Sequence, residues 1–315
     1  MPEYQNNENE WLETDGLGGF ASGCVNGIRT RRYHALLLTA TNPPTGRFVL
    51  VNGFDAWIES ETGRYSISSQ RYAPDVIHPD GAARIVSFST KPWPTWIFEL
   101  EDGNRVQQEI FISKDSGNTI LSWRLLDPAK KATLFVRPFL SGRDYHSMHH
   151  ENGSFRFDAD VQGDRVLWRP YQDLPPVAAI TNGSYSHEPA WYRNFQYDQE
   201  RSRGLDFTED LASPGVLRWD LSQEAVCIFS SGAANAGSVQ QLVSHSRKAE
   251  QKRRKQFSNE LELAADAYIV SRKTGKTIVA GYPWFTDWGR DTFIAMRGLC
   301  VTTGQVKVAR DILIE

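Results

Sequence analysis

Between Gly281 and Met296 the chain reads Gly-Tyr-Pro-Trp-Phe-Thr-Asp-Trp-Gly-Arg-Asp-Thr-Phe-Ile-Ala-Met, the stretch whose residue types are best suited to chemistry. Tyr282, Trp284, Phe285 and Trp288 crowd around Arg290 and the carboxylates Asp287 and Asp291, and an apolar helical pattern follows. Aromatic rings stack on the apolar faces of sugars, and a neighbouring Arg and Asp supply donors and acceptors for hydroxyls. The segment therefore reads as a carbohydrate pocket at the mouth of a helix. The competing reading is a Trp-Gly turn in which Asp287 or Asp291 caps that helix. The two are compatible, and the local density of aromatic rings favours the sugar. Asp287 and Asp291 are near neighbours on one turn. Inverting glycoside hydrolysis needs two carboxyls about 6.5–9.5 Å apart with water between them. Nothing in the sequence places this pair on opposite faces of a bond, so no catalytic acid or base is assigned.

Other chemistry-bearing stretches point elsewhere. Gly16-Leu-Gly-Gly-Phe-Ala21 fits the loose dinucleotide pattern, but turn and strand signals follow it where a helix is required. Its glycines are expected to permit tight turns and close backbone approach. His146, His149 and His150 cluster in a polar stretch, which is read as a hydrogen-bonding or interface loop in preference to a metal site. Trp191–Tyr197 and Glu200–Asp210 mix aromatics with both charges, and read either as a loop reaching the pocket or as an ion-paired buttress. Cys24, Cys227 and Cys300 are widely spaced without a CxxC pair and read as reduced, mostly buried thiols. No P-loop, HExxH or G-x-S-x-G is present.

The elements that must position the pocket change character along the chain. Up to about residue 232, short strand-like runs recur at hairpin spacing without alternating helices, which predicts a large antiparallel sandwich. Phe48–Val51 and Phe54–Glu59 are expected to form a hairpin about Asn52-Gly53. Thr95–Leu100 and Arg105–Ile112 are expected to form another, with further strands at 119–126, 132–140, 154–161, 165–169, 216–221 and 225–229. From Ser238 the chain is charged and helix-prone, and its Lys252-Arg-Arg-Lys255 run reads as a solvated helix face. Thr277–Ala280 reads as an extended entry. Phe293, Met296, Leu299 and Cys300 form a helical stripe stopped at Gly304, and Val306, Ala309, Ile312 and Leu313 open the next helix.

Aromatics make up 12% of the residues and ten are tryptophan, which suits sugar binding or β-core packing equally. A net charge of −3 argues against nucleic acid or an anionic membrane as the main partner. The polar, acidic N-terminus lacks the regions of a signal peptide, and no apolar run approaches the ~20 residues of a membrane span. A cytoplasmic location is expected.

Trp11–Gly23 followed by Arg31–Leu37 resembles the opening of the N-terminal domain of bacterial and archaeal glycogen debranching enzymes. Arg137–His150 and Arg201–Leu211 resemble later blocks of that domain, and Gly281–Asp291 is similar to the start of the family's amylo-α-1,6-glucosidase domain. The blocks stand in family order. The resemblance implies a mainly β fold: an antiparallel β-super-sandwich over 1–235, a helical linker over 236–272, and the truncated start of an (α/α)6 barrel over 273–315. It implies hydrolysis of the single α-1,6-linked glucose left at trimmed branch points, with glycogen or a branched α-glucan as partner and no metal or organic cofactor. The glucosidase domain is also similar to glucoamylases. On that likeness Arg290 and Asp291 hydrogen-bond hydroxyls in subsite −1 and Trp288 contacts the sugar nearby. Trp284 joins them on aromatic density alone. The family's catalytic carboxylates lie on later barrel loops, so a fragment inactive by itself, with exposed apolar surface on its last helices, is expected. The alternatives are a glucoamylase-like or phosphorylase relative, and a non-catalytic glucan-binding sandwich.

Overall fold

The computed structural model describes residues 4–114, 116–127, 130–232 and 238–314. Two antiparallel sheets pack face to face. The larger runs in the order Glu10–Thr14, Phe20–Cys24, Ala35–Asn42, Thr45–Ser60, Thr133–Asp144, Thr208–Asp220, Ser184–Gln196, Ser69–Tyr72 and Val76–Asp80, with Gly63–Ser66 paired beside Thr45–Ser60. The smaller runs Ala159–Gln162, Arg165–Trp168, Val177–Thr181, Ala225–Ser230, Asn118–Leu125, Arg105–Ser113, Thr95–Glu99 and Ile85–Ser89. Period-2 patterning explains the layering. In Arg105–Ser113, Val106, Gln108, Ile110 and Ile112 point inward, and they meet Leu37, Val51, Ile58, Leu134 and Leu217 of the other sheet in one core. Seven tryptophans (Trp11, Trp57, Trp93, Trp96, Trp123, Trp168 and Trp219) are buried in this sandwich, so most of the tryptophan content serves packing. Within the sandwich the one α-helix among the described residues is the short Asp198–Ser202.

The 95–112 hairpin forms as expected, with Arg105 opposite Glu99. The hairpin expected at Asn52-Gly53 does not form: Thr45–Ser60 is one continuous strand. Its register against Thr133–Asp144 slips by one residue at Asn52, between the Phe139–Gly53 and Leu140–Val51 pairs, so the dipeptide makes a bulge. Asn52 Nδ2 donates to buried Glu209 at 3.3 Å, and a Cβ on Gly53 would lie 2.1 Å from Arg29 Nη1. The two residues make room for buried charge. Of the expected 154–161 strand only Ala159–Val161, within Ala159–Gln162, is extended in a sheet, while the Trp191–Tyr197 stretch, read either as a loop reaching the pocket or as an ion-paired buttress, lies as far as Gln196 inside the thirteen-residue strand Ser184–Gln196.

The expected domain boundary at 235 lies outside the described residues. Helix Val239–Arg254 is capped by Ser238, whose side chain accepts from Gln241 N, and Glu260–Tyr268 is capped by Asn259. The basic run is only partly a solvated face. Arg253 pairs with Glu250 and Asp266 at 2.9 and 2.8 Å, and Arg254 pairs with Glu13 of the first strand, stitching the helices to the sandwich. Ile269–Arg272, Gly275–Gly281 and Phe285–Asp287 then form a small sheet, so the expected boundary at 272 falls inside a hairpin. The barrel start is represented by the helices Gly289–Met296 and Val306–Ile314, with a π-turn at Arg297–Val301 and Gly304 at φ 76° ending it. The buried stripe is Thr292, Met296 and Cys300 with Ala309 and Ile312. Phe293, Val306 and Leu313 are exposed together with Ile294 and Ile314, giving the apolar surface expected there. No described helix is long and apolar enough to cross a membrane.

A buried ion pair ties three strands together. Arg143 Nε and Nη2 hold the Glu209 carboxylate, Tyr197 Oη donates to the same group, and His149 N–H donates to it at 3.2 Å. Both side chains are essentially out of water. Breaking one partner of such a pair costs about 3–5 kcal/mol. Glu209→Gln is therefore expected to lower unfolding free energy by about that amount in urea titrations, and Arg143→Met/Glu209→Leu together by clearly less; equal losses would show that packing, not uncompensated charge, is what matters there.

Candidate functional site

The aromatic segment is held against the sandwich by side chains of the sandwich. Arg47, almost fully buried, donates from Nη1 to the Phe285 carbonyl at 3.0 Å and lies 5.4–5.7 Å from the ring centres of Phe20, Tyr145 and Tyr282. Tyr145 Oη donates to the Trp284 carbonyl at 3.1 Å. Arg31 stacks over the Trp284 ring at 5.3 Å, and Ser271 N–H donates to the Gly16 carbonyl at 2.8 Å. One apolar cluster spans the seam: Phe20, Tyr33, Leu38 and Val49 pack with Val270, Val279 and Tyr282.

At this seam opens a cleft of about 520 Å³ lined by Tyr33, Tyr145, His146, Arg203, Trp284, Phe285, Thr286 and Trp288. Phe285 and Trp288 are half exposed, with ring centres 6.3 Å apart and planes at 80°. Tyr33 Oη lies 3.1 Å from His146 Nδ1. The wall behind is braced. Arg32 Nη1 donates to the His146 carbonyl at 2.6 Å, Glu200 accepts from Arg32 N–H at 3.2 Å, and Arg143 Nη2 donates to the Arg32 carbonyl at 2.7 Å. Burial, with Arg32 and Arg47 nearby, pushes the His146 pKa down against the opposing pull of Asp144.

Trp284 and Trp288 thus share the cleft, and Arg290 and Asp291 do not line it. Arg290 is exposed and pairs loosely with Asp291 at 3.6 Å. Asp291 opens instead onto a separate depression with Tyr268, Val279, Ala295 and Leu299. Neither carboxylate caps the helix: Trp288 is the N-cap residue and makes no side-chain cap bond, Asp287 pairs with Arg272 at 2.9 Å, and Asp291 sits in the first turn, where the helix dipole favours it. Tyr33, His146 and Arg203 were not singled out as site residues. Each lies in a stretch of mixed aromatic and charged residues visible in the sequence, but their convergence is tertiary.

The remaining candidates resolve into structure. His149 is buried, with Nδ1 2.9 Å from the Asp210 carbonyl oxygen and Nε2 2.7 Å from Tyr171 Oη, while His150 is exposed beside Asp210; His146 alone reaches the cleft. The histidines are interface and hydrogen-bonding residues. A group absent from the sequence reading is Glu10, Cys24 and His34, whose ligand atoms lie within 4.8 Å of one another. Thr30 N–H donates to His34 Nδ1 at 3.2 Å, which leaves Nε2–H to meet Glu10 Oε1 at 3.3 Å. Burial pushes the Cys24 thiol up to about 12. Although burial opposes it, hydrogen bonds from His34 and Arg31 hold Glu10 down to about 2. With both ring nitrogens used and the thiol protonated, this is a hydrogen-bonded cluster. Cys227 and Cys300 are free and buried as well.

The glycine loop is filled by its own chain. Leu17 N–H donates to Asp15 Oδ1 at 2.7 Å, and the Gly18 and Gly19 amides also bond the carboxylate. A Cβ on Gly19 would lie 2.4 Å from Asp15 Oδ2, and Gly18 at φ 101° leaves no room for one against Pro44. The loop wraps a carboxylate, not a nucleotide.

Residues 9–227 match the family model described as glycogen debranching enzyme N terminal. The chain belongs to that family. Residues 263–315 match a second model, amylo-α-1,6-glucosidase. No curated protein matches it. Among solved structures it is similar to a bacterial glucoamylase complexed with acarbose, at 10% identity and TM-score 0.44 over 98% of this chain and 49% of that one. It is also similar to a kojibiose phosphorylase candidate from the human microbiome, at 8% identity and TM-score 0.28 over 83% and 30%. The chain spans about half the length of the glucoamylase.

Burial pushes the Asp15 carboxyl from its usual 3.8 up to about 6, even though the loop amides and Arg47 pull it down. A raised carboxyl pKa means the folded state holds the proton more tightly. The protonated form therefore favours folding below about pH 4, and that advantage is lost as pH rises through about 6. At roughly 1.4 kcal/mol per unit, the change is on the order of 2–3 kcal/mol. Denaturant unfolding of the parent and Asp15→Asn at pH 4 and 7.5 should show the parent losing about that much more stability at the higher pH. Parallel profiles would show that Asp15 ionises normally in the fold.

Proposed function

We propose that this chain forms the sandwich, up to about residue 235, a connector to 272, and the opening of the catalytic barrel of a cytoplasmic glycoside hydrolase. Its reaction is removal of α-1,6-linked glucose at the branch points of trimmed glycogen or limit dextrin, without metal or organic cofactor. The observation that carries the proposal is the match of residues 263–315 to the amylo-α-1,6-glucosidase model over the stretch where Trp284 and Trp288 meet the sandwich in an aromatic cleft. Arg290 and Asp291 hold hydroxyls of the glucose to be released. Their mutual pair is open to solvent and worth little to stability, so both heads are available to a ligand. The catalytic acid and base are not among the residues assigned. Asp287 is committed to Arg272, and the cleft lining contains no carboxylate.

Incubating the full-length gene product with limit dextrin, with and without phosphate, tests the reaction. Free glucose in both cases supports hydrolysis, glucose 1-phosphate formed only with phosphate supports a phosphorylase, and no product with retained glucan binding supports a binding module. In an active enzyme, loss of a hydrogen bond to a charged group costs roughly 1.5–3 kcal/mol, or about 10- to 150-fold in kcat/KM. Asp291→Asn is expected to lose that much on branched dextrin while its melting temperature stays put. If Asp291→Asn keeps full kcat/KM and Asp291→Ala merely melts earlier, Asp291 stabilises the helix and does not hold the sugar.

A further inference from the structure

Arg29 is buried in the sandwich, and its guanidinium has no hydrogen-bond or ion-pair partner among the described residues. It lies over the Phe195 ring at 5.0 Å and close against Gly53. With Asn52, Ser69 and Gln108 it lines a cavity of about 70 Å³ between the two sheets, and no carboxylate is among the lining residues. We propose that this cavity binds one small monovalent anion, such as chloride, through the Arg29 guanidinium, the Gln108 amide and the Ser69 hydroxyl. The site is independent of the glucosidase reading.

Donors outnumber acceptors around the cavity. An indole N–H can only donate, so the 2.8 Å bond from Trp123 Nε1 occupies the amide oxygen of Gln108 and leaves its Nε2 as a donor without an acceptor among the described residues. Ser69 Oγ accepts from Ala82 N–H at 2.9 Å, which leaves its own O–H to give. The one lining acceptor that stands orphaned among the described residues is Asn52 Oδ1, and a water beside the anion can donate to both. The volume allows this, since one water needs roughly 10–15 Å³. Water alone would fill the donors and leave the guanidinium charge uncompensated in an apolar surround, which is costly. The carboxylates closest to this part of the sheet are engaged elsewhere. Glu209 collects Arg143, Tyr197 and Asn52, while Asp55 accepts from Gln70 Nε2 at 3.0 Å and Ser68 Oγ at 3.4 Å and feels Arg137 as well as Arg29. A divalent anion would have to shed far more hydration to enter between Leu36, Trp96, Phe98 and Ile110. The bound ion is thus structural: it supplies the counter-charge that lets Arg29 sit on the Asn52-Gly53 bulge.

The test is the melting temperature of the chain as chloride replaces gluconate, an organic anion too large for the cavity, at constant ionic strength so that screening does not change. A ligand held only by the folded state stabilises it in proportion to the logarithm of its concentration above half-saturation. With about 2.1 cal/mol/K of unfolding entropy per residue, the parent should melt about 2 °C higher for each tenfold rise in chloride. Gln108→Glu removes the amide donor, keeps an acceptor for Trp123 and brings a carboxylate to the cavity, so its melting temperature should not follow chloride. Arg29→Met removes the cation and should not follow it either. Crystals of the parent grown in bromide should carry an anomalous peak at the Arg29 guanidinium. A parent indifferent to the exchange overturns the site, as does a Gln108→Glu variant that responds as the parent does, or a cavity that holds only water in bromide. If Arg29→Met does not fold, the parent, Gln108→Glu and the bromide crystal decide the matter.

Discussion

The buried Arg143–Glu209 pair is the constraint on which the cleft depends. Glu209 collects donors from Arg143, Tyr197, Asn52 and the His149 backbone, so strands far apart in sequence are fixed to one carboxylate. Such a pair contributes little net stability over an apolar replacement, but a half-made version is costly, and so it penalises misregister strongly. Its second output is directional. The Arg143 Nη2 that holds Glu209 also holds the Arg32 carbonyl, and Arg32 holds His146. From Glu209 in the sheet to the His146 backbone carbonyl at the seam, each link is a hydrogen bond.

Arg47 plays the complementary part across the seam. A guanidinium caged by Phe20, Tyr145 and Tyr282 keeps Nε and Nη2 without partners, a cost offset by its ring contacts and by the bond to the Phe285 carbonyl. Burial lowers its pKa, with Tyr282, Tyr145 and Asp15 opposing that shift. The Asp15 loop that helps neutralise it also bonds the strand at Ser271. The aromatic segment therefore takes its position from the sandwich as much as from the helix that follows it.

What was legible in the sequence follows from where the burial is one-sided. Arg105–Ile110 alternates because one face meets the sandwich core, and the pattern breaks at Phe111, which is buried on the other face against Trp93 and the helix residues Val239 and Val243. Ser184–Gln196 was missed because most of it is exposed, Pro189 interrupts it, and register shifts at His187/Ala190 and Tyr192/Phe195 break the period. Asn52-Gly53 carries the strongest hairpin signal, yet its lack of side-chain bulk is used to admit Arg29 beside a bulge. Turn propensity is a local preference, and a buried guanidinium needing space outweighs it. The same holds for the site. Trp284 and Trp288 were legible because they sit within one short segment. Tyr33, His146 and Arg203 come from strand ends and a helix end far apart in the chain, and tertiary packing, with Tyr33 in the apolar seam cluster and the His146 carbonyl held by Arg32, brings them together.

The division among the tryptophans bears on function. Trp123 and Trp219 contact one another inside the sandwich, and Trp123 and Trp96 give their indole N–H to Gln108 and to the Val25 carbonyl. Those rings are satisfied and sealed. Trp288 is more than half exposed, and its close ring neighbour, Phe285, is itself half exposed. Leaving two large rings half in water forgoes about half of the roughly 1.5–3 kcal/mol that full burial of each contributes. Phe293 of the following helix is exposed as well, but of the three rings Phe285 and Trp288 are the ones that line the seam cleft, opposite the braced polar wall built by the sandwich.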